Sequence, residues 1–174
     1  PQDRRGGNSA FTAGALRFVY NGVEDLAELV PDLTEDEKRN PDFGTYTEEK
    51  FFDDLGRLTE YRSDPDLAEL LVRRSLPTMR WMKGKGIRFA PMYARQAFKV
   101  DGRFRFWGGL TIEAWGGGPG LVEGLFTAAA KYGIEVWYES RVISLLADDD
   151  GVKGVRVRRN GKTEELRAGA VVLA

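Results

Sequence analysis

The apolar residues of this chain change period partway along it, and that change limits the possible folds more than any other feature. Over residues 21–86 they recur at helical spacing, whereas from residue 87 onward they alternate or run in short blocks typical of strands. A chain of 174 residues with 42% hydrophobic residues can bury a core of domain size, so disordered and collagen-like classes are excluded. The expectation is therefore an α/β fold with a helical part near 21–86 and a β-rich part near 87–174.

In the helical part, Asn21 with Glu24 and Thr34 with Glu37 have the spacing of an N-cap and a glutamate reaching back. Thr47 is expected to cap a helix over Glu48 to Tyr61 that buries Phe51, Phe52, Leu55 and Leu58. Ser63-Asp64-Pro65 opens the next helix, with Leu67, Leu70, Leu71, Met79 and Met82 as its apolar face. Pro77 should kink or end that helix, and Gly84 with Gly86 should stop it.

In the β-rich part, Gln96 to Val100 and Arg103 to Trp107 flank Asp101-Gly102, a tight hairpin signal. After the strand Leu110 to Trp115 and the stretch Gly116 to Gly120, a helix carries Leu121, Leu125, Ala128 and Tyr132 on one face and ends at Gly133. Ile134, Val136 and Tyr138 then alternate as a strand. Val142 to Ala147, Val152 to Arg158 and Thr163 to Arg167 predict an antiparallel meander with turns at Asp150-Gly151 and Asn160-Gly161. The run Ala170-Val171-Val172-Leu173-Ala174 reads as a buried strand of a parallel sheet. Because that strand needs covering, and because the chain opens at Pro1, the residues are expected to come from a longer protein.

Charge and side-chain chemistry exclude several functions. The 26 basic and 27 acidic residues are interspersed and nearly cancel, which argues against nucleic acid as a partner. No stretch reaches the roughly 18 apolar residues of a membrane span, and the start does not resemble a secretory signal, so a cytoplasmic location is expected. There is no Cys and no His. Disulfides, thiolate nucleophiles, imidazole metal sites and histidine-based triads are therefore out of reach, and no metal is expected. Chemistry would need carboxylates, Lys, Arg or Tyr, or a cofactor that carries the hard step itself.

Two glycine-rich segments are candidates to meet one. Gly116 to Gly120 lacks the full dinucleotide fingerprint, because Glu123 stands where a third glycine belongs; it is either a strand-to-helix connection or a phosphate cradle at a helix start. Gly6-Gly7-Asn8-Ser9-Ala10-Phe11-Thr12-Ala13-Gly14 is either a capped surface turn or a backbone approach to a ligand, with the Ser9 and Thr12 hydroxyls as donors. Arg95, Lys99, Arg103 and Arg105 could clamp a tricarboxylate or form a solvated cationic face. Tyr93 and the four tryptophans read as core or interface rather than catalysts.

Gly6-Gly7-Asn8-Ser9 with Thr12-Ala13-Gly14, then Gly120-Leu121-Val122, and finally Gly151-Val152-Lys153-Gly154-Val155 to Val171-Val172-Leu173-Ala174 resemble the FAD-binding domain of fumarate reductase and succinate dehydrogenase-type flavoproteins. Phe43 to Thr47, Arg95 to Lys99 and Phe106 to Gly109 are most similar to the FAD-dependent tricarballylate dehydrogenases. The resemblance spans essentially the whole chain and implies a partial, Rossmann-like FAD-binding domain with a helical insertion and a β-meander. The N-terminal βαβ unit, the capping domain and the C-terminal flavin contacts of that family are absent.

The resemblance implies that Gly6, Gly7, Asn8, Ser9, Thr12, Ala13 and Gly14 line FAD, that Val142 meets the adenine through its backbone, and that Ala174 begins the last strand's approach. Some relatives tether FAD through a histidine where this chain has Asn8, so FAD is expected to be held non-covalently. Ala15 departs from the glycine many relatives have there. The family's redox residues lie mostly beyond Ala174, so no catalytic residue is assigned. The implied activity of the longer protein is oxidation of tricarballylate to cis-aconitate by hydride transfer to FAD, with an electron-accepting partner and an inactive fragment. A fumarate reductase-like or 3-ketosteroid dehydrogenase-like flavoprotein, or a binding module without flavin, stands as the alternative.

Overall fold

Local capping chemistry starts the helices where the side chains allow it. In the computed structural model, which describes residues 5–39, 41–106 and 108–173, α2 (Glu35–Arg39) opens with a reciprocal box. The Glu37 amide donates to Thr34 Oγ1 at 3.1 Å, and the Thr34 amide donates to Glu37 Oε2 at 2.9 Å. Thr47 accepts from the Lys50 amide at 3.2 Å to open α3 (Glu48–Thr59), and Asp64 accepts from the Leu67 amide at 3.0 Å to open α4 (Pro65–Gly84). Helix α1 (Val23–Leu29) differs from expectation: Gly22 is its N-cap, and Asp25 rather than Glu24 reaches back, to the Asn21 amide at 2.9 Å.

Pro77 does not end α4, which runs on to Gly84. Its buried stripe is Val72, Ser75, Met79 and Met82, at helical spacing. The Ser75 hydroxyl donates to the Val72 carbonyl at 2.7 Å and accepts from the Val19 amide at 2.9 Å, tying the helix to the segment that carries Phe18 and Tyr20. The expected burial of Phe52, Leu58, Leu67, Leu70 and Leu71 is not found: all five are exposed, while Leu55 is half-buried. Only one stripe of each helix can face the single core, and Phe51 and the Val72 to Met82 row take those places.

The described residues fall into two compact units, residues 6–133 and residue 5 with 134–173. In the first, β1 (Ala15–Leu16), β2 (Phe89–Pro91) and β5 (Ile112–Ala114) form a three-stranded antiparallel sheet in the order β1-β5-β2. Its core face packs Ile112, Ala114 and Phe89 with Phe18, Tyr20, Leu26, Leu29 and Tyr46. Burying each such side chain contributes on the order of 1.5–3 kcal/mol. A short helix α5 (Tyr93–Gln96) leads into the hairpin of β3 (Ala97–Val100) and β4 (Arg103–Phe106). Asp101 and Gly102 take φ of 50° and 80° at its turn, as the sequence predicts; Trp107 lies outside the described residues. Helix α6 (Gly117–Lys131) buries Gly118, Val122 and Ala128, so Leu125 and Tyr132, expected on its apolar face, are exposed instead.

In the second unit, β6 (Arg141–Asp148), β7 (Gly151–Arg159) and β8 (Lys162–Arg167) form the expected antiparallel meander. The β6–β7 turn falls on Asp149 and Asp150, because Asp148 pairs with Gly151, and Asn160-Gly161 makes the second turn. Two expected strands are not formed. Ile134, Val136 and Tyr138 are exposed and extend no sheet, and residues 170–173 are likewise outside any strand, with Val172 88% exposed. A strand needs a backbone partner, and the described residues offer neither segment one. Every pair of named strands is antiparallel, so the parallel pairing expected of the closing run is absent among the described residues.

Candidate cofactor site

The two glycine-rich segments, far apart in sequence, form one contact. Gly6 and Gly7 take φ of 90° and 46°, which L side chains rarely adopt, and turn the chain into a 3-10 turn over Gly7–Phe11. The Ser9 amide donates to the Gly6 carbonyl at 2.9 Å, and the Thr12 hydroxyl donates to the Ser9 carbonyl at 3.0 Å. The same Thr12 oxygen accepts from the Gly14 amide at 3.2 Å. Thr12 is thus an internal brace, and its hydroxyl proton is committed within the loop.

This loop is seated on the start of α6. The Gly118 amide donates to the Thr12 carbonyl at 3.0 Å, and the Ala114 amide donates to the Gly14 carbonyl at 2.8 Å. A Cβ on Gly14 would stand 2.6 Å from the Gly117 carbonyl carbon, and one on Gly118 would stand 2.3 Å from the Ser9 carbonyl oxygen. The glycines of Gly116 to Gly120 therefore permit close backbone packing at a strand-to-helix connection, and one of the free helix-start amides is used by Thr12.

What the loop leaves outward is Gly7, Asn8 and Ser9, all exposed. A Cβ on Gly7 would meet nothing within 4 Å, and neither the Asn8 amide nor the Ser9 hydroxyl has a partner among the described residues. An open glycine beside an amide and a hydroxyl fits the close approach and donor chemistry that a pyrophosphate or an isoalloxazine edge requires. Ala13 is half-buried and Gly14 buried, so they support the loop from beneath. Val142 lies on β6, in the other unit, paired with Val157 and 49% exposed. Ala174 lies outside the described residues.

Two features near the first unit's sheet escaped the sequence reading. Tyr46 is fully buried; its hydroxyl donates to Asp54 Oδ2 at 2.8 Å and accepts from Arg17 Nη1 at 2.9 Å. Arg17 also donates to the Gly108 carbonyl at 2.9 Å. The hydrogen bond from Tyr46 holds the Asp54 carboxyl below its ordinary pKa, while burial, helped by Asp54, pushes the Tyr46 phenol up. The second is Glu113, at the centre of β5 between Ala15 and Ala90, where burial pushes its carboxyl up. No short-range pattern announces either, because the partners come from distant segments.

Among the described residues no cluster of acidic side chains could hold a metal ion, and no helix is long and apolar enough to cross a membrane. Comparison with known proteins adds the family. A 3-oxosteroid 1-dehydrogenase of Comamonas testosteroni is 45% identical over 58 residues, a stretch that covers 33% of this chain and 10% of that protein. The model of the FAD binding domain family matches residues 4–174. With the match running through the open glycine loop and on to the last residue, the chain belongs to this FAD binding domain family, and its cofactor is FAD.

Proposed function

We propose that this chain is an interior part of a Rossmann-like FAD-binding domain, with a helical insertion, in a longer flavoprotein dehydrogenase that oxidises a tricarboxylate, tricarballylate to cis-aconitate. The observation that carries the flavin reading is the open, exposed Gly7-Asn8-Ser9 within a chain matched to the family over residues 4–174. That the matched stretch is 10% of the steroid dehydrogenase supports a longer parent. The choice of substrate rests on the resemblance carried by Phe43 to Thr47, Arg95 to Lys99 and Phe106 to Gly109.

In this reading Gly6, Gly7, Asn8 and Ser9 meet FAD directly, Thr12 braces the loop, and Ala13 and Gly14 set its depth. Val142 and Ala174 contribute backbone to the adenine side and to the last strand's approach. Asn8 cannot form the covalent tether a histidine makes, so FAD is held by contacts alone. When bound, FAD supplies hydride acceptance, which lets a CH–CH unit beside a carboxylate become C=C with loss of a proton. The protein's share is binding and orientation. The parent hands its electrons to a separate acceptor and works in the cytoplasm, and the 174-residue chain alone does not turn over.

A second reading, a 3-ketosteroid dehydrogenase-like parent, is favoured by the 45% identical stretch. Purified parent protein, incubated with FAD and desalted, should show flavin absorbance that acid precipitation releases into the supernatant. A colourless protein ends the flavin reading, and flavin retained in the pellet ends the non-covalent one. Turnover with an artificial acceptor should favour tricarballylate over fumarate and over a 3-oxosteroid; faster steroid turnover transfers the assignment to the second reading.

A further inference from the structure

Arg95, Lys99, Arg103 and Arg105 do not make one cluster. Strand β4 turns Phe104 and Phe106 inward, against Tyr93 at 5.0 and 5.3 Å and, for Phe106, against Phe43 at 4.8 Å. Lys99 lies over the Phe104 ring at 5.1 Å, on that same side. The alternation of a strand leaves Arg103 and Arg105 on the opposite face. There, with Lys38 of α2, Asp42, Asp101 and Thr45, they line a cleft of about 620 Å³, within the range of small-ligand sites.

We propose that this cleft binds a small polycarboxylate, with Arg105, Arg103 and Lys38 as its cationic anchors. The wall is fixed before any ligand arrives. The Asp42 amide donates to the Phe104 carbonyl at 2.6 Å, and the Phe106 amide donates to the Asp42 carbonyl at 3.2 Å, so residues 41–43 run as an added rung beside β4. The cations are also held: Arg103 donates to the Arg39 carbonyl at 2.7 Å, and Lys38 pairs with Glu35 at 2.8 Å. Holding long side chains in place in advance reduces the entropy lost on binding.

Three cations, Lys38, Arg103 and Arg105, face two carboxylates, Asp42 and Asp101, so the cleft keeps an excess of one positive charge for an anion. Asp42 is already engaged through Oδ1, which accepts from the Gly44 amide at 3.0 Å. Arg105 Nε stands 3.7 Å from Asp42 Oδ2, too far for a hydrogen bond, and its terminal nitrogens have no partner among the described residues. That fork can take a carboxylate bidentately. Arg103 and Arg105, two residues apart on one strand face, are separated by about 6.5 Å, which suits two carboxylates of one molecule better than a single compact anion. Thr45 adds an exposed hydroxyl at the rim.

The choice of ligand rests on the tricarboxylate reading above, but the test needs no flavin. Isotope-labelled 174-residue chain titrated with tricarballylate at low salt should show saturable amide shifts confined to Lys38 and to residues 42–45 and 100–105. Arg105→Gln should weaken binding about 10-fold, and Arg103→Gln by a similar factor. Asp42→Asn, which keeps an acceptor for Gly44 but removes the competing charge, should tighten it. Added salt should weaken it. Absent or dispersed shifts, indifference to both arginine variants in chains that keep their circular dichroism, or inorganic phosphate binding as tightly as tricarballylate would overturn the proposal. A cleft that fails here leaves FAD uptake by the parent as it was, and a parent that takes up no FAD leaves the cleft's titration unchanged.

Discussion

The Gly118 amide donates to the Thr12 carbonyl oxygen at 3.0 Å, fastening the N-terminal glycine loop to the first turn of α6. The contact is possible only because the helix-side residue, Gly118, carries no Cβ at the point of approach. Gly118→Ala would place a carbon 2.3 Å from the Ser9 carbonyl oxygen and 2.6 Å from that of Thr12. The expected cost is about 1–3 kcal/mol, as for other overpacked sites, measured by urea unfolding.

Gly7→Ala meets no neighbour but must hold φ near 46°. Its expected cost is about 1 kcal/mol from the left-handed backbone. If Gly7 faces FAD, the same substitution should weaken FAD binding to the parent at least about 10-fold through steric exclusion, a loss out of proportion to its effect on unfolding. Equal FAD affinity for wild type and variant would place the cofactor elsewhere.

Tyr46→Phe removes the donor to Asp54 and leaves Arg17 one acceptor short. The expected loss is about 1–3 kcal/mol at neutral pH. The Asp54 carboxyl is depressed in the fold, so its contribution is present above the unfolded value of about 3.9 and is lost as pH falls through the folded one. Acid unfolding of Tyr46→Phe should therefore show a shallower pH dependence in that window than wild type. The buried Tyr46 phenol is raised, so it adds stability that is complete below about pH 10 and disappears as pH climbs through the folded value.

Glu113 works in the opposite sense from Asp54. Its carboxyl is raised by burial, so folding favours the protonated form, and stability declines as pH rises from the unfolded value of about 4.3 through the folded one. Glu113→Gln should abolish that decline and leave the protein at least as stable as wild type at pH 7, read from thermal unfolding between pH 4 and 7. A clear loss of stability at neutral pH would show that the carboxylate has a partner holding it charged.

Leu26→Ala should cost about 2–5 kcal/mol, because Leu26 is fully buried in the core. Leu67→Ala should change stability by no more than about 0.5 kcal/mol, because Leu67 is 66% exposed and lies off the buried Val72 to Met82 row of the same helix. Chemical denaturation of the two variants separates apolar pattern from actual burial.

Features that depend on a few neighbouring residues were readable from the amino acids in order. The Thr34/Glu37 box, the Thr47 and Asp64 caps, the Asp101-Gly102 turn and the β6-β7-β8 meander are each set by local hydrogen bonding and backbone preference. The absence of Cys and His likewise bounded the chemistry before any fold was known. Three-dimensional packing settled what local rules leave degenerate. It chose which apolar stripe of α3 and α4 meets the core, left Ile134 to Tyr138 and Val171 to Leu173 without strand partners, and carried α4 through Pro77. It also set the Gly-loop on α6, Arg17 on Tyr46, and Lys38 beside Arg103 and Arg105. Burial, strand pairing and charge clustering are properties of segments meeting across the chain, and spacing along one segment carries no record of its partner.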